Sequence, residues 1–426
     1  MQFHTLRASL HNEVHARPPE PVRVPVAVSH WVMWLDDASR PLVQTHLKQL
    51  LDAHHVSVDA KATHVRADLG AYRLRWEMHT EFVSLTVMRS LEDFQWTGPA
   101  SLPTAASVVP QDWLSRIPGQ CLCAMHVTAV DEGSTAIANG VRATLQESSL
   151  SGSSVADGQA VVLADFALQA DGFTHTLVLV KSLTPRRLGR LIQRLLEIET
   201  YRMAALMGLP VARESAARLS HGEVELADLA SSIRSASVEH ESDLLDRLTQ
   251  LAAEIEGHYA STHSRFSASS AYFELVRQRI ADLSEVRLEG MQSIKDFMDR
   301  RLTPAMNTCA WAMRRQQSLS ERISRTSNLL RTRVEIEQQE GNQALLNTMN
   351  RRQGLQLKLQ STVEGLSVAA ITYYMTGLVG YLAKGAQAVG WPWSPDTTMS
   401  VAVPIVALGM WWFLRRLHKR LHLQAK

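Results

Sequence analysis

The sequence predicts an α+β protein with three parts: an N-terminal α/β cytoplasmic domain, a long helical bundle that continues into a stalk, and a C-terminal hairpin of two transmembrane helices. Three observations predict this class. Runs rich in β-branched and aromatic residues concentrate before residue 184. Residues 212–363 contain a single proline and mostly keep helical spacing of their apolar residues. Two uncharged apolar runs, at 366–383 and 399–414, stand near the end of the sequence.

The composition limits the classes of protein to which the chain can belong. The chain has 426 residues, 44 Lys and Arg against 42 Asp and Glu, and 45% hydrophobic residues. This nearly balanced charge argues against a protein that coats nucleic acid, which needs a strongly basic face. The hydrophobic content is enough for a buried core, and three cysteines make no disulfide framework. The sequence therefore predicts a folded protein of a reducing compartment, without nucleic acid as a partner.

Changes in residue pattern divide the sequence into five predicted segments. They are an α/β cytoplasmic domain at 1–183, a helical bundle at 184–303, a long stalk helix at 304–365, two transmembrane helices at 366–414 and a basic cytoplasmic tail at 415–426. The first boundary lies at Thr184 and Pro185, where strand patterns give way to helical spacing. The stalk is predicted to begin at Pro304 because proline suits the first turn of a helix.

Four runs predict strands in the N-terminal domain, because β-branched and aromatic residues favour a pleated, half-buried surface. The runs are residues 22–34, 72–89, 121–130 and 161–180. A turn at His79 and Thr80 divides the second run, and Asp171 with Gly172 predicts a hairpin turn in the last. Leucine spacing predicts a helix at 40–54. The Gly- and Ser-rich residues 148–158 are interpreted as a loop.

The remaining residues before the apolar runs predict long helices. The first helix is predicted to end at Gly208 and Pro210, and a break is predicted at 232–242. After Pro304 no strong helix breaker occurs for about 80 residues, which corresponds to a helix on the order of 120 Å long. So long a helix is not stable alone and must pack on other helices or on copies of itself. The sequence therefore predicts a homo-oligomer.

The two apolar runs predict a hairpin that crosses a membrane and has lipids as its surroundings. Both runs are slightly short for a hydrocarbon core of about 30 Å, but aromatic and basic residues at the interface extend them. The predicted interface residues are Trp391, Trp393, Trp411, Trp412, Arg415 and Arg416. The alternative is a buried helical hairpin in a soluble domain. Lys and Arg are frequent on both sides of the hairpin, whereas its connection has only Lys384, so both ends are predicted to be cytoplasmic.

Three motifs carry a resemblance to a known family. They are Asn-Glu-Val-His-Ala-Arg-Pro-Pro-Glu at 12–20, Glu-Ile-Glu-Thr-Tyr-Arg at 197–202 and Thr-Val-Glu-Gly-Leu-Ser at 362–367. Together they resemble a bacterial family of uncharacterised membrane-anchored proteins, and the resemblance runs almost end to end. That family has no established activity. The resemblance therefore implies a location in the bacterial inner membrane and little about chemistry.

The predicted architecture also resembles that of the CorA-type magnesium channels. A cytoplasmic α/β domain, a helical bundle, a long helix entering the membrane, a short outer loop and a second span with a basic tail follow in the same order. The resemblance implies a pentamer whose first span lines a pore for a divalent cation. CorA-type channels carry Gly-Met-Asn at the outer mouth of the pore. The nearest string here is Tyr-Met-Thr-Gly at 374–377, which lacks the asparagine and lies in mid-span.

Small residues form one stripe along the first predicted span. They are Gly365, Ala369, Thr372, Thr376, Gly380 and Ala383, at spacings of three and four. In a ring of subunits such stripes can line a pore, with threonine hydroxyls and backbone carbonyls facing a hydrated ion. Alternatively, small residues let two helices pack closely. Both interpretations stay open, and all six residues except Ala383 are the candidates for lining a pore.

Two sets of alternating residues are candidates for binding a divalent metal ion. They are His11, Glu13 and His15 near the start, and Glu77, His79 and Glu81 on a predicted strand. Alternating side chains of an extended segment point to one face, and imidazole and carboxylate are common metal ligands. The alternative for each set is a cluster of polar residues without a metal. No other cofactor is predicted.

No motif of the sequence predicts an enzyme. The phosphate-binding loop, the dinucleotide fingerprint, the zinc-protease motif and the nucleophile elbow are all absent. Cys121 and Cys123 are interpreted as buried structural thiols, because a zinc site usually has a second pair of cysteines. Two functions of different classes remain. One is a CorA-like homo-oligomeric channel or transporter for a divalent cation, and the other is a membrane-anchored cytoplasmic scaffold or sensor without transport.

Overall fold

Helix dominates the computed structural model of the chain. Helices hold 63% of the chain and strands 16%, which confirms the predicted α+β class. The structure describes residues 3–7, 10–11, 18–59, 62–92, 94, 104–235, 238–387, 389–390 and 392–424. Contacts divide the chain into unit 1, residues 1–235 with 243–327, and unit 2, residues 236–242 with 328–426.

Nine strands in the described part of unit 1 form a single sheet. They are β1 (Val26–Trp34), β2 (His64–Asp68), β3 (Arg73–Met78), β4 (Phe82–Ser90), β5 (Gln120–Asp131), β6 (Ser151–Val155), β7 (Ala160–Ala164), β8 (Thr174–Val180) and β9 (Val286–Arg287). Their order across the sheet is β2-β3-β4-β1-β5-β8-β7-β6-β9. Neighbouring strands are antiparallel except β5 and β8, which run parallel.

Short helices lie between the strands in the N-terminal part of the chain, and long helices make up most of the chain after β8. They are α1 (Ser39–Ala53), α2 (Gln111–Leu114), α3 (Thr135–Arg142), α4 (Pro185–Leu206), α5 (Gly208–Ser235), α6 (Val238–Ala281), α7 (Ile294–Gln387) and α8 (Pro395–Gln424). Two short 3₁₀ turns, Ala105–Val108 and Glu147–Ser149, connect elements of the sheet. The order of elements therefore agrees with the predicted change from strands to helices near residue 184.

The two faces of the sheet pack against different helices. On one face, strands β1, β5 and β8 share a core cluster with α4, which includes Val28, Val127, Val178, Leu188 and Ile192. On the other face, β1 and β4 share a cluster with α1, which includes Ala27, Leu85, Leu47 and Leu50. Successive side chains of a strand point to opposite faces. The polar side chains of these central strands therefore lie in one of two buried interfaces, between the sheet and α4 or between the sheet and α1.

The strand predictions are confirmed in outline, although β2, β6 and β9 lie outside the predicted runs. All four predicted runs contain strands, but the loop predicted at 148–158 contains β6. Small residues are required in β6 because the chain lies close over it. A Cβ added at Gly152 would come within 2.5 Å of the Met291 sulfur, and the Ser153 hydroxyl donates to Glu285 at 2.7 Å and accepts from the Ile294 N–H at 3.1 Å.

Three helices pack together in unit 1 beyond the sheet. Their buried leucines are Leu219, Leu226 and Leu229 of α5, Leu244, Leu248 and Leu251 of α6, and Leu319 of α7. Gly222 permits the close approach, because a Cβ there would lie 3.0 Å from Ile255 and 3.2 Å from Leu319. The break predicted at 232–242 is confirmed, since α5 ends at Ser235 and α6 begins at Val238.

The helix start predicted at Pro304 is wrong, because α7 begins ten residues earlier at Ile294. Ser293 and Asp296 explain the earlier start. The Ser293 hydroxyl accepts the Asp296 N–H at 3.0 Å, and the Asp296 carboxylate accepts the Ser293 N–H at 3.2 Å, as in a capping box. The apolar residues that follow, including Phe297, are buried in the unit 1 core. Pro304 therefore lies inside a helix whose ends are fixed elsewhere.

Gly208 and Pro210 lie at a helix boundary as predicted, but they belong to the start of the second helix and not to the end of the first. The first long helix, α4, ends at Leu206, and α5 begins at Gly208. Pro210 lies in the first turn of α5, where a missing N–H leaves no intrahelical hydrogen bond unmade. The two residues thus begin the next helix.

Unit 2 holds the C-terminal part of α7 together with α8. The long unbroken helix predicted there is confirmed, since α7 continues through Gly341 and Gly354. Every side chain from 338 to 363 is exposed on the single chain. Both α7 and the Pro395–Phe413 part of α8 contain a window that is long and apolar enough to cross a membrane. Only 17% of the first window and none of the second is buried, which argues against the core hairpin of a soluble domain.

Candidate functional site

Two histidines and an aspartate come together on the face of the sheet that carries α1 and α3. His126 of β5 and His175 of β8 are paired in register, so their side chains point to the same face. Asp171 lies in the turn that precedes β8. One ligand atom from each of the three residues lies within 4.8 Å of the other two. Among the described residues this is the one group of three His, Cys, Asp or Glu side chains arranged so closely.

The carboxylate of Asp171 lies between the two imidazoles. Its Oδ2 is 2.8 Å from Nε2 of His175 and 3.9 Å from Nε2 of His126. Both histidines are buried, whereas the Asp171 side chain is 38% exposed. The group is therefore closed on the side of the histidines and open to solvent at the carboxylate.

The other ring nitrogen of each histidine contacts a hydroxyl group. Nδ1 of His126 lies 2.8 Å from Oγ of Ser29, which also accepts the Ala106 N–H at 2.8 Å. Nδ1 of His175 lies 3.2 Å from Oγ1 of Thr144, whose hydroxyl donates to the Val141 carbonyl at 2.7 Å. Because Thr144 donates elsewhere, it accepts from the His175 Nδ1–H. These contacts fix the orientation of both rings.

Aromatic rings pack against the group, and burial shifts the pKa values of its residues. Phe173 stacks on His126 with ring centroids 3.8 Å apart, and Trp31 packs edge-on against Phe173 at 5.7 Å. Burial lowers the pKa of His126 to about 3, with His175 adding to the shift and Asp171 opposing it. Burial opposes ionisation of Asp171, but hydrogen bonds from the Phe173 N–H and from His175 hold its pKa below the ordinary value. His126 is therefore neutral and Asp171 ionised near neutral pH.

The segment 165–173 that presents Asp171 is held by two carboxylates. Asp165 is buried, and its Oδ2 accepts the Gln146 N–H at 2.9 Å and the Gln169 side-chain amide at 2.7 Å. Asp171 Oδ1 accepts the Phe173 N–H at 2.9 Å. Gly172 has a φ of +83°, which glycine adopts without strain. The Asp-Gly turn predicted here is confirmed, although β7 already ends at Ala164.

A second polar cluster lies on the opposite face of the sheet, against α4. His30 of β1 contacts Thr86 of β4 through Nδ1 at 2.8 Å and Thr200 of α4 through Nε2 at 3.0 Å. Thr200 donates its hydroxyl proton to the Leu196 carbonyl at 2.8 Å, so it accepts from His30 Nε2–H. Burial lowers the pKa of His30 to about 3, and the charge of nearby Arg75 adds to the shift. The cluster borders a cavity of about 60 Å³, enough for a few water molecules.

Strand β3 adds a buried ion pair to the same face. Arg75 Nη2 donates to Glu77 Oε2 at 2.7 Å, and Nδ1 of His64 lies 3.2 Å from Glu77 Oε1. Arg75 and Glu77 are each only 6% exposed. Burial opposes ionisation of Glu77, but hydrogen bonds from His64 and Arg75 together with the Arg75 charge lower its pKa to about 2. Glu77 is thus a structural anion bound by the Arg75 guanidinium and the His64 ring.

Comparison with protein families decides the identity of the chain. The model of a family described as a protein of unknown function, DUF3422, matches residues 2–421. The chain belongs to the DUF3422 family. No curated protein and no solved structure matches it. The resemblance to a family of unknown function is therefore confirmed, whereas the resemblance to CorA-type channels stays a prediction.

Two motifs that carry the resemblance contact the sheet of this DUF3422 protein. Thr200 of the second motif binds His30, and Glu197 and Tyr201 of the same motif border the small cavity. In the first motif, Glu20 lies 3.2 Å from Arg66 and 3.6 Å from Arg73 on the edge of the sheet. The two motifs thus stabilise the sheet near its His30 face.

The predicted set at Glu77, His79 and Glu81 forms no metal cluster among the described residues, and the set at His11, Glu13 and His15 stays a prediction. His11 is exposed, and Glu13 and His15 lie outside the described residues. Glu77 and Glu81 have separate partners, because Glu81 binds Arg265 at 2.7 and 3.0 Å and accepts from the Tyr272 hydroxyl at 2.8 Å. The alternate spacing of Glu77 and Glu81 therefore does not bring their carboxylates to a common metal site.

The interpretation of the thiols needs one correction. Cys123 is buried, but Cys121 is exposed. The register between β1 and β5 shifts at this point, since Val32 pairs with Cys123 and Met33 with Cys121. Such a bulge turns one of two alternate side chains away from the sheet face.

The structure describes most of the predicted membrane-facing residues. Thr376 is buried, Thr372 is half-buried, and Gly365 and Ala369 are exposed. A Cβ added at Gly380 would lie 2.6 Å from the sulfur of Met399 of α8. Their role in lining a pore stays a prediction. The hairpin of this DUF3422 protein is thus packed at Gly380.

The predicted interface residues include two stacked pairs near the end of α8. The Arg415 guanidinium lies 4.8 Å from the Trp411 ring and that of Arg416 lies 5.0 Å from the Trp412 ring. Trp393 is exposed, and Trp391 lies outside the described residues.

Sequence reasoning did not single out the group of His126, Asp171 and His175. The Asp-Gly turn was recognised for its shape, and His175 lies four residues after Asp171. No local pattern indicates that His126 lies beside them, because the contact depends on parallel pairing of strands far apart in sequence. The available signal was a histidine within each of two predicted strands.

Proposed function

We propose that this DUF3422 protein is a homo-oligomer anchored in the bacterial inner membrane by its C-terminal hairpin, with the remainder acting in the cytoplasm as a sensor or scaffold. Two helices long and apolar enough to cross a membrane support the anchoring. The excess of Lys and Arg on both sides of the hairpin supports cytoplasmic placement of the flanking segments. We propose binding and not catalysis as the task of the sheet.

The packing of the hairpin is the observation that favours an anchor over a pore. Thr376, Gly380 and Ala383 lie on one face of α7, at spacings of four and three, and are buried. Gly380 lies against Met399 of α8, within the same chain. Small residues at such a contact let helices approach closely, and this is their commonest use in membranes. The stripe therefore already has a packing role in one chain.

Exposed apolar side chains along α7 support self-association. They are Leu345, Met349, Leu355, Leu359, Val363 and Leu366, each more than half exposed. We call this set the α7 seam. Its spacings of mostly three and four are typical of a helix that packs on another helix. Because every residue of 338–363 is exposed on the single chain, copies of the same helix are the simplest cover for the seam.

Ion flux is the experiment that tests the anchoring function. Full-length protein in liposomes loaded with dyes for Mg²⁺ and K⁺ should pass no more of either ion than protein-free liposomes. Flux well above that of empty liposomes that changes in the Thr376→Leu variant would contradict the anchor and favour a pore. Insertion is verified in the same preparation by resistance of the protein to alkaline extraction.

Acidic substitutions in the α7 seam should break the oligomer. The double variant Leu359→Glu with Val363→Glu places two carboxylates in each copy of the seam, and burying an unpaired charge costs several kcal/mol. We expect monomers in mild detergent, measured by mass photometry, where the native chain forms oligomers. Leu357→Glu with Ser361→Glu makes the same spacing on the opposite face and should leave the oligomer intact. A native chain that is already monomeric would contradict the proposal.

The second candidate function is a CorA-like channel for a divalent cation, with five copies around the pore. The observation in its favour is that Gly365 and Ala369, in the first part of the stripe, are exposed on the single chain. These two residues and Thr372 are free to face a shared axis in an oligomer. The flux experiment distinguishes this function from the anchor.

A further inference from the structure

We propose that His126, Asp171 and His175 form a binding site for one divalent transition-metal ion of the Zn²⁺ class. The proposal goes beyond membrane anchoring and does not depend on it, because all three residues lie in unit 1. It also differs from the metal candidates of the sequence, His11, Glu13 and His15, which belong to another segment.

The contacts of the two imidazoles at Nδ1 leave Nε2 of each ring available to a cation once that nitrogen carries no proton. Thr144 accepts the His175 Nδ1–H because its own hydroxyl proton goes to Val141. Ser29 accepts the His126 Nδ1–H with the lone pair left after the Ala106 N–H in one tautomer, and donates its own proton to Nδ1 in the other. A neutral imidazole protonated at Nδ1 carries its lone pair on Nε2. In both rings Nε2 is the atom nearest Asp171 Oδ2.

Two imidazole Nε2 atoms and a carboxylate that face one another can bind one cation between them. Without a metal ion, a proton on His175 Nε2 makes the hydrogen bond to Asp171 Oδ2 at 2.8 Å. A proton satisfies that single contact, but it leaves Nε2 of His126, at 3.9 Å, outside hydrogen-bonding range. One metal ion satisfies all three groups at once. Its positive charge also suits a carboxylate ligand.

The separations are close to those of a metal site. Ligands about 2.0–2.2 Å from one zinc ion lie roughly 3.3–3.5 Å apart in tetrahedral geometry. The separations of 2.8 and 3.9 Å from Asp171 lie on either side of that value, and all three ligand atoms lie within 4.8 Å of one another, so small side-chain shifts reach it. Because Asp171 is partly exposed, the ion has an entry route and water can complete its coordination.

The ligand set selects the class of metal. Imidazole nitrogen suits Zn²⁺, Fe²⁺, Co²⁺, Ni²⁺ and Cu²⁺, whereas Mg²⁺ and Ca²⁺ prefer oxygen ligands. Metal-bound histidines commonly donate their second N–H to an oxygen acceptor that fixes the ring. Ser29 and Thr144 provide those acceptors here. Phe173, stacked on His126, shields the site from water on one side.

A hydrolytic Ser-His-Asp triad is a poorer use of the same residues. Ser29 is fully buried, and its hydroxyl accepts the Ala106 N–H. A nucleophilic serine must reach a substrate and be activated by an imidazole oriented by the acid. Here Asp171 lies 3.9 Å from His126 and no substrate can contact Ser29. The arrangement therefore fits a bound ion better than a nucleophile.

Metal titration of the tag-free full-length chain in mild detergent tests the proposal. After chelator stripping, we expect one Zn²⁺ per chain by competition with a chromophoric chelator, and Co²⁺ should give the absorption of a nitrogen- and oxygen-ligated ion. Asp171→Asn and His175→Gln should each weaken Zn²⁺ binding at least about 100-fold, since loss of outer-shell contacts alone costs 10–100-fold. Excess Mg²⁺ should not compete.

Two controls separate this site from others. His221→Gln removes an exposed histidine that lies 3.9 Å from Glu225, and His11→Gln removes the other candidate site; both should bind Zn²⁺ like the native chain. Asp171→Asn keeps an acceptor for the Phe173 N–H, so the turn is retained. Loss of stoichiometric binding in His11→Gln, or undiminished binding in Asp171→Asn, would overturn the proposal.

Hydrogen exchange of the native chain gives a reading that needs no variant. Zn²⁺ should slow amide exchange at least tenfold in residues 165–175, because the ion ties the turn to β5. Exchange in residues 338–363 should not change. Equal exchange of residues 165–175 with and without Zn²⁺ would overturn the proposal.

Discussion

Replacement of Glu77 with glutamine should destabilise the sheet by about 3–5 kcal/mol near neutral pH, because removal of one partner leaves a buried charge uncompensated. The remaining charge is Arg75, which lies 2.7 Å from Glu77 and is 6% exposed. The thermal midpoint of the full chain in mild detergent should fall by roughly 6–12 °C. Hydrogen exchange should quicken in residues 73–90, which form β3 and β4.

The effect of Glu77→Gln should depend on pH. The pKa of Glu77 falls from its ordinary value of 4.5 to about 2 on folding, which corresponds to about 3 kcal/mol of stability. Because the folded-state pKa is the lower one, this stability is present above pH 4.5 and is lost as the pH falls toward 2. The difference between native chain and variant should therefore shrink in that window.

Glu214→Gln is the matched control for the buried pair. Glu214 lies 3.2 Å from Arg218, but both side chains are more than half exposed, and such pairs contribute at most about 1 kcal/mol. The thermal midpoint of this variant should stay within a few degrees of the native value. An equal fall of the thermal midpoint in both variants would contradict the larger contribution expected from the buried Arg75–Glu77 pair.

Replacement of Gly189 with alanine should displace the segment around Glu20 and Val22, which precedes β1, from its place against α4. Gly189 lies in α4, and a Cβ there would overlap the carbonyl oxygen of Glu20. Displacement of this segment loses the burial of Val22 and the hydrogen bond from its N–H to the Pro185 carbonyl at 2.9 Å. The losses amount to roughly 2–4 kcal/mol and exceed the gain of about 1 kcal/mol in helix propensity.

Limited proteolysis measures the release directly. Trypsin should cleave after Arg23 at least tenfold faster in Gly189→Ala than in the native chain, because cleavage requires the segment to leave α4. Gly257→Ala is the control, since a Cβ at this helical glycine of α6 meets nothing within 4 Å. That variant should be unchanged or slightly more stable. Unchanged cleavage in Gly189→Ala would contradict the close packing of Glu20 on α4.

Local chemistry made most of the sheet and the long helices predictable. Strands β1, β4 and β8 are rich in β-branched and aromatic residues, which favour strands by themselves. Strand β6 was not predicted because its serines and glycine do not favour a strand by themselves. They are small because another part of the chain packs closely over them. The start of α7 was not predicted because the capping pair Ser293 and Asp296 outweighs the preference of Pro304 for a first turn.

The membrane helices and the candidate metal site differ in how far sequence reveals them. Length and lack of charge suffice to recognise helices that fit a membrane, and the structure contains two such windows. The site needs the register of β5 on β8, which depends on packing between distant parts of the chain. His126 and His175 are therefore ordinary strand residues in sequence and neighbours only in the fold.

The single parallel pairing in the sheet has a consequence for the order of folding. Pairs β2–β3, β3–β4, β6–β7 and β7–β8 join strands close in sequence, whereas each residue of β5 meets a residue of β8 49 positions later. Pairings between distant strands form late because loop closure costs entropy before any contact compensates for it. The nascent chain therefore makes local hairpins first and completes the His126–His175 neighbourhood only when β5 docks beside β8. An ion that prefers this neighbourhood would slow the unfolding of that pairing more than the early hairpins.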